Sequence, residues 1–143
     1  LKQLWRRSAW ILEKVLSGDN GIERRHFALD GVADLPQRDA ESLNKAFERE
    51  APRLARTALA DALSQAGIEA ANLDALVVCT CTGYLCPGVA SHLAEQIGMR
   101  PNAYLLDIVG QGCGAAIPSL RSASHILSSQ PDAQVAVVAV EIC

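Results

Sequence analysis

Apolar residues follow two regimes along this chain of 143 residues: helical spacing in the front part and short uninterrupted runs in the back part. At the front, Leu4, Trp5, Ala9, Ile11, Leu12, Val15 and Leu16 recur at roughly helical intervals before Gly18, which predicts a helix over Leu4–Leu16. Gly21–Leu29 has Ile22, Phe27 and Leu29 as its apolar points and reads as extended. Gly31–Asp39 holds a glycine, a proline and two aspartates and reads as a loop. A long helix is expected over Ala40–Ala66, closed by Gly67. Pro52 inside it leaves two outcomes open, a kink or a division into two helices.

The back part begins with the clearest strand, Ala75–Thr80 (ALVVCT), followed by punctuation at Gly83 and Pro87-Gly88. Val89–Ile97 predicts a short helix stopped by Gly98. Ala103–Val109 (AYLLDIV) predicts a second strand, Pro118–Ser129 a helix, and Gln134–Ile142 a third strand. Strands alternating with helices at this spacing indicate an α/β fold whose strands are buried on both faces.

Composition narrows the class. A chain of this size can bury a sizeable core; 50% of it is apolar, 20% is charged and the net charge is −3. That excludes a disordered chain and carries no basic footprint for nucleic acid. No apolar run approaches the ~20 residues needed to span a bilayer, and Leu1–Arg7 lacks the apolar core of a signal peptide. The expectation is a cytoplasmic protein without membrane contact. Of the 13 lysines and arginines, 11 precede Thr57, so a solvated front section precedes a buried back section. The apolar run Val135–Ile142 lies against the last residue, Cys143, and such a strand needs neighbours. The chain is therefore expected to be an incomplete domain, cut at both ends.

Cysteines stand at Cys79, Cys81, Cys86, Cys113 and Cys143. Their odd number and low density suit reduced thiols better than a disulfide scaffold. Cys79, Cys81, Cys86 and the nearby His92 lack a second ligand pair at metal spacing, so no metal is expected.

One cysteine stands in a reactive setting. Val109-Gly110-Gln111-Gly112-Cys113-Gly114-Ala115-Ala116-Ile117-Pro118 joins a strand to a helix through glycines at alternate positions. Proline is tolerated only in a helix's first turn, so the helix starts between Cys113 and Ile117. Cys113 then sits at the positive helix end, which favours a thiolate, and free N–H groups there suit an oxyanion. The alternative is a buried structural cysteine in a glycine-rich turn. The pattern is not the hydrolase elbow, because Gln111 stands where that elbow has glycine.

The stretch GQGCGAAIPSL resembles the nucleophile segment of type III polyketide synthases, the chalcone synthase-like family. CTCTGYLCPG resembles that family's Thr/Ser-rich active-site loop, VAVVAVEIC the strand ending in a buried glutamate (here Glu141), and GIERRHF an early Arg-Arg segment. The resemblance covers nearly the whole chain. It implies the N-terminal half of a thiolase-like fold, with a mixed sheet packed between helices and residues 1–143 as an incomplete N-terminal domain. The family's opening strand would be missing.

The implied activity is acyl transfer. Cys113 would take a starter from acyl-CoA as a thioester, and decarboxylated malonyl-CoA units would extend it, with no cofactor beyond these CoA thioesters. Cys81 and Thr82 would line the acyl cavity, Glu141 and Cys143 would lie beside the nucleophile, and Cys86 would reach into the partner's cavity in a homodimer. Packing is the alternative for Cys81 and Cys143, and a turn position for Thr82. Lys2, Arg6 and Arg7 would meet the CoA phosphates, against the alternative of a solvated basic face. The family's catalytic histidine and asparagine belong to its C-terminal half; His26, His92 and His125 do not occupy matching positions. A ketoacyl synthase III-like or hydroxymethylglutaryl-CoA synthase-like enzyme is the rival within the fold. A non-catalytic module that only folds and dimerises is the rival outside it.

Overall fold

The computed structural model describes residues 6–17, 21, 24, 26, 28 and 39–142. Four helices and three strands alternate in it: α1 (Arg6–Leu16), α2 (Ala40–Ala66), β1 (Ala75–Thr80), α3 (Val89–Ile97), β2 (Tyr104–Val109), α4 (Ala116–Ser129) and β3 (Val135–Ala139). The extended reading of Gly21–Leu29 and the loop of Gly31–Asp39 fall mostly outside the described residues.

The sheet has the order β2-β1-β3, and both pairings are parallel. Ala75 stands opposite Tyr104 on one side and Val135 on the other, and Thr80 stands opposite Val109. Parallel crossovers are right-handed. The connection β1-α3-β2 runs one way along the sheet and β2-α4-β3 runs back, so the two helices cover opposite faces. Alternation along β1 agrees. Leu76 and Val78 join Phe47, Ala51 and Ala55 of α2 and Val89, Ala90 and Leu93 of α3 in one core cluster. Val77 and Cys79 are buried outside that cluster, and α4, which packs on β1 and β3, turns Ser119 and Ala123 inward.

Two expectations need correction. Burial on both faces holds for β1, where every residue is buried, but β2 and β3 are half-buried. As edge strands of this sheet they have a paired neighbour on one side only. β3 is also shorter than Gln134–Ile142. It ends at Ala139, and only the Val140 N–H continues the ladder, donating to Cys79 O at 3.0 Å. The chain then departs because Glu141 turns its carboxylate toward the end of β1.

α2 runs as one helix through Pro52, so the division into two does not occur. A proline in a helix interior costs about 3 kcal/mol or more. Burial offsets it: Ala46, Phe47, Ala51, Pro52, Ala55 and Leu59 are all buried, and a buried Phe or Leu side chain contributes roughly 1.5–3 kcal/mol. Asp39 caps the helix, accepting from Ser42 N at 2.8 Å.

At the amino ends of the strands, Asp74 fixes the register. Its carboxylate accepts from Gln134 N at 2.6 Å and pairs with Arg100. The Gln134 bond foremost, then the Arg100 charge, hold this carboxyl below the usual range against partial burial.

The loop after β1 crosses the top of this core at Gly83, where a Cβ would run into the ring of the fully buried Phe47. Gly83→Ala is therefore expected to lower stability by about 1–3 kcal/mol through overpacking. Urea unfolding of the two chains checks this, and equal midpoints would refute the close contact.

Candidate active site at the carboxyl edge of the sheet

All three parallel strands end at one edge, the side where open parallel sheets place their ligands. The segments leaving them are Cys81-Thr82 after β1, Gly110–Ala115 after β2 and Val140–Ile142 after β3.

Glu141 organises the first and third. Its carboxylate accepts from Cys81 N at 2.9 and 3.0 Å, from Thr82 N at 3.0 Å, from Thr82 Oγ1 at 2.7 Å and from Thr80 Oγ1 at 3.3 Å. Thr82 Oγ1 in turn accepts from Ile142 N at 2.9 Å. The hydroxyl thus donates to one side of the turn and accepts from the other. Burial alone would raise the pKa of Glu141, but the bonds from the Thr82 hydroxyl, the Cys81 N–H and thiol, and the Thr82 N–H outweigh it and hold the carboxyl below its ordinary value. The sequence reading of a buried strand-end glutamate needs correction: Glu141 lies beyond the strand and is exposed in this chain.

The second segment carries Cys113. Gly110 and Gly112 have φ of 77° and 64°, left-handed values that side-chain-bearing residues adopt only under strain. They turn the chain sharply off β2 into a 3-10 turn, Gly112–Ala115, which leads directly into α4. Pro118 falls in the first turn of α4, as the sequence requires. Buried Ala115 and Ser119, whose Oγ donates to Ala115 O at 2.7 Å, anchor the turn while Cys113 stays exposed. The alternative of a buried structural cysteine does not hold in this chain.

Cys81 is half-buried between these two segments. Its thiol is pushed up to about 11, first by its side-chain bond with Glu141, then by partial burial and the carboxylate's charge, and also by the neighbouring Cys113 thiol. Four sequence-predicted residues, Cys81, Thr82, Cys113 and Glu141, are thus brought together. Cys86 is not among them: it is exposed and lines a separate cavity of about 410 Å³ with Thr80, Tyr84, Asp107 and Val109. Arg6 and Arg7 are exposed at the head of α1. Lys2 and Cys143 lie outside the described residues. No group of three or more metal-ligating side chains is found among the described residues, and no described helix is long and apolar enough to cross a membrane.

Sequence reasoning missed Asp107. Its carboxylate accepts from Ala90 N at 3.0 Å, capping α3 from within β2, and lies where a Cβ on Gly88 would fall. An acid inside the apolar run AYLLDIV was the available signal, because a carboxylate at such a position needs a donor.

Residues 28–143 match the family model for the N-terminal domain of chalcone and stilbene synthases. The chain belongs to this family. Its relatives are type III polyketide synthases. A 1,3,6,8-tetrahydroxynaphthalene synthase of Streptomyces peucetius subsp. caesius is 32% identical over 128 residues, covering 86% of this chain and 33% of that protein. The crystal structure of the corresponding synthase from Streptomyces coelicolor, a bacterial type III polyketide synthase, superimposes with a TM-score of 0.77 at 27% identity, over 83% of this chain and 34% of the other. A structure of CsyB complexed with CoA-SH gives 0.75 at 26% identity, over 92% of this chain and 38% of that one. The fold is therefore the thiolase-like fold of these synthases, and the chain spans about a third of the length of the curated relatives it matches.

Because the pKa of Glu141 is lowered on folding from an ordinary 4.5, the stability it contributes is fully present above that pH and is lost as pH falls through the lower folded value. Glu141→Gln should cost about 1 kcal/mol at neutral pH, a modest figure because the carboxylate faces solvent. The gap between the two chains should close on acidification below pH 4.5. Thermal unfolding across pH reads this; a gap independent of pH would show that the charge of Glu141 is irrelevant.

Proposed function

We propose that this chain supplies the acyl-carrying thiol, Cys113, of a type III polyketide synthase. One observation carries the reading: an exposed cysteine in the glycine turn heading α4, beside a carboxylate-ordered loop, in a chain of this family. Two thiols share the edge, and their surroundings differ. Cys81, pushed up to about 11 against the Glu141 carboxylate, stays a neutral thiol at neutral pH. Cys113 instead lies exposed in the glycine turn that leads directly into α4, away from that carboxylate's bonds.

In the proposed reaction the Cys113 sulfur attacks the carbonyl carbon of a starter acyl-CoA. Backbone N–H groups at the head of α4 hold the developing oxyanion, the C–S bond to CoA breaks, and the CoA thiolate leaves. The starter remains as a thioester on Cys113. Malonyl-CoA then loses carbon dioxide, and its carbanion attacks that thioester: the new carbon–carbon bond forms, the C–S bond to Cys113 breaks, and the Cys113 sulfur leaves while the extended chain stays on CoA. Cys81 and Thr82 form one wall of the acyl cavity, and Glu141 fixes that wall; its oxygens are engaged and it is not the base. The CoA-SH held by CsyB supports CoA thioesters as substrates, with Lys2, Arg6 and Arg7 offered to the CoA phosphates. The histidine and asparagine that drive decarboxylation would come from the two thirds of the relatives' length outside this match. In a homodimer, Cys86 would reach the partner's cavity.

The test uses the full-length synthase. With Cys113→Ala, incubation with an acyl-CoA should leave no acyl mass on the protein, whereas Cys81→Ser should load normally and release products of altered chain length. Intact-mass spectrometry and product chromatography read both. Acylation of the Cys113→Ala protein would overturn the assignment.

A further inference from the structure

The carboxyl edge holds two thiols where acyl transfer uses one. Thr80 pairs with Val109, so Cys81, the next residue, stands beside the point where β2 releases its chain toward Cys113. The 3-10 turn of Cys113 packs directly on β1. Cys81 N is pinned by both Glu141 oxygens at 2.9 and 3.0 Å, which holds its side chain at this position. Both sulfurs are free thiols, Cys113 exposed and Cys81 half-buried. The other described cysteines are set apart: Cys79 is buried within β1, and Cys86 lines the separate cavity near Asp107.

We propose that Cys81 and Cys113 form a reversible disulfide, a modification site in which Cys113 meets a hydroperoxide and Cys81 resolves the product. First the Cys113 sulfur, giving up its proton, attacks one peroxide oxygen. An S–O bond forms, the O–O bond breaks, and the leaving oxygen takes a proton to become water or an alcohol. Cys113 is now a sulfenic acid. The Cys81 sulfur then attacks the Cys113 sulfur: the S–S bond forms, the S–O bond breaks, and hydroxide departs as water with the proton from Cys81. In sum, two thiols and one hydroperoxide give one disulfide, one water and one water or alcohol. The order follows from the surroundings, since a thiol facing a carboxylate keeps its proton and is the poorer first attacker.

The bridge prevents irreversible oxidation of Cys113 to the sulfinic acid and is undone by a dithiol. That it also blocks acyl loading rests on the function proposed above; the thiol chemistry does not.

The full-length protein is treated with hydrogen peroxide, quenched, alkylated and digested without reduction, and the cross-linked cysteines are assigned by fragmentation. The expected product joins Cys81 to Cys113 with loss of two hydrogens, and dithiothreitol restores iodoacetamide labelling of Cys113. In Cys81→Ser, and in Cys81→Ala as a second variant, peroxide should drive Cys113 to sulfinic acid and the recovery on reduction should be lost. Cys86→Ser should form the same Cys81–Cys113 bridge under peroxide and regain Cys113 labelling on reduction. A bridge from Cys113 to another cysteine, or equal recovery with and without Cys81, overturns the proposal. Acyl loading is measured separately with acyl-CoA. A protein that bridges but never loads would refute the acyl-carrier reading alone, and one that loads but never bridges would refute the disulfide alone.

Discussion

The Glu141 carboxylate is the constraint on which the carboxyl edge depends. It accepts from two backbone N–H groups and two hydroxyls across about sixty residues of sequence, joining the end of β1 to the segment that follows β3. Those N–H groups have left the β-ladder and would otherwise face solvent without a fixed partner. A strand ending in an apolar residue here would leave the Cys81-Thr82 turn free to move. With the carboxylate in place, the turn becomes a fixed wall beside Cys113, and the reciprocal bond between Thr82 and Ile142 closes it from the other side. Beneath it, β1 is buried at every position, so the wall stands on the most deeply buried strand of the sheet.

Much of this architecture was legible in the sequence because the chain is well punctuated. Ala40–Ala66, Ala75–Thr80 and Val89–Ile97 have the bounds their patterns predict, set by Asp39, Gly67, Gly88 and Gly98 and by apolar runs of a single period. The thiol at the head of α4 was legible for the same reason, since Pro118 leaves the helix few places to start. What escaped was pairwise. An apolar run such as Gln134–Ile142 gives the composition of a strand but not the residue at which its neighbour stops bonding to it. The ladder ends where Glu141 is drawn toward Cys81, a contact between residues 60 apart. The burial of β2 and β3 was likewise overread, because one-dimensional hydropathy does not distinguish a central strand from an edge. Asp107 escaped because its partner, Ala90 N, lies on a different element.

The two thiols at this edge show how position decides chemistry for one residue type. Cys81 follows a strand and meets a carboxylate, which favours its proton; Cys113 stands exposed in the turn that leads into α4. The difference is set by where each strand releases its chain. Gly110 and Gly112 are the backbone condition for it: with left-handed φ at both positions, the chain drops from β2 into α4 without the longer loop that would carry Cys113 away from Cys81.

α4 extends this logic to whatever covers the site. One turn beyond Cys113 the helix exposes Ile117 and Leu120, at 69% and 57% of their surface, with Leu127 further along. The spacing of three residues puts Ile117 and Leu120 side by side on one helical face, turned away from Ser119, which packs on the sheet. Apolar side chains aligned in this way gain stability only when another surface removes them from water. Burying Ile117 and Leu120 would therefore stabilise the helix that carries the Cys113 turn, just as the Glu141 network fixes the turn on its other side.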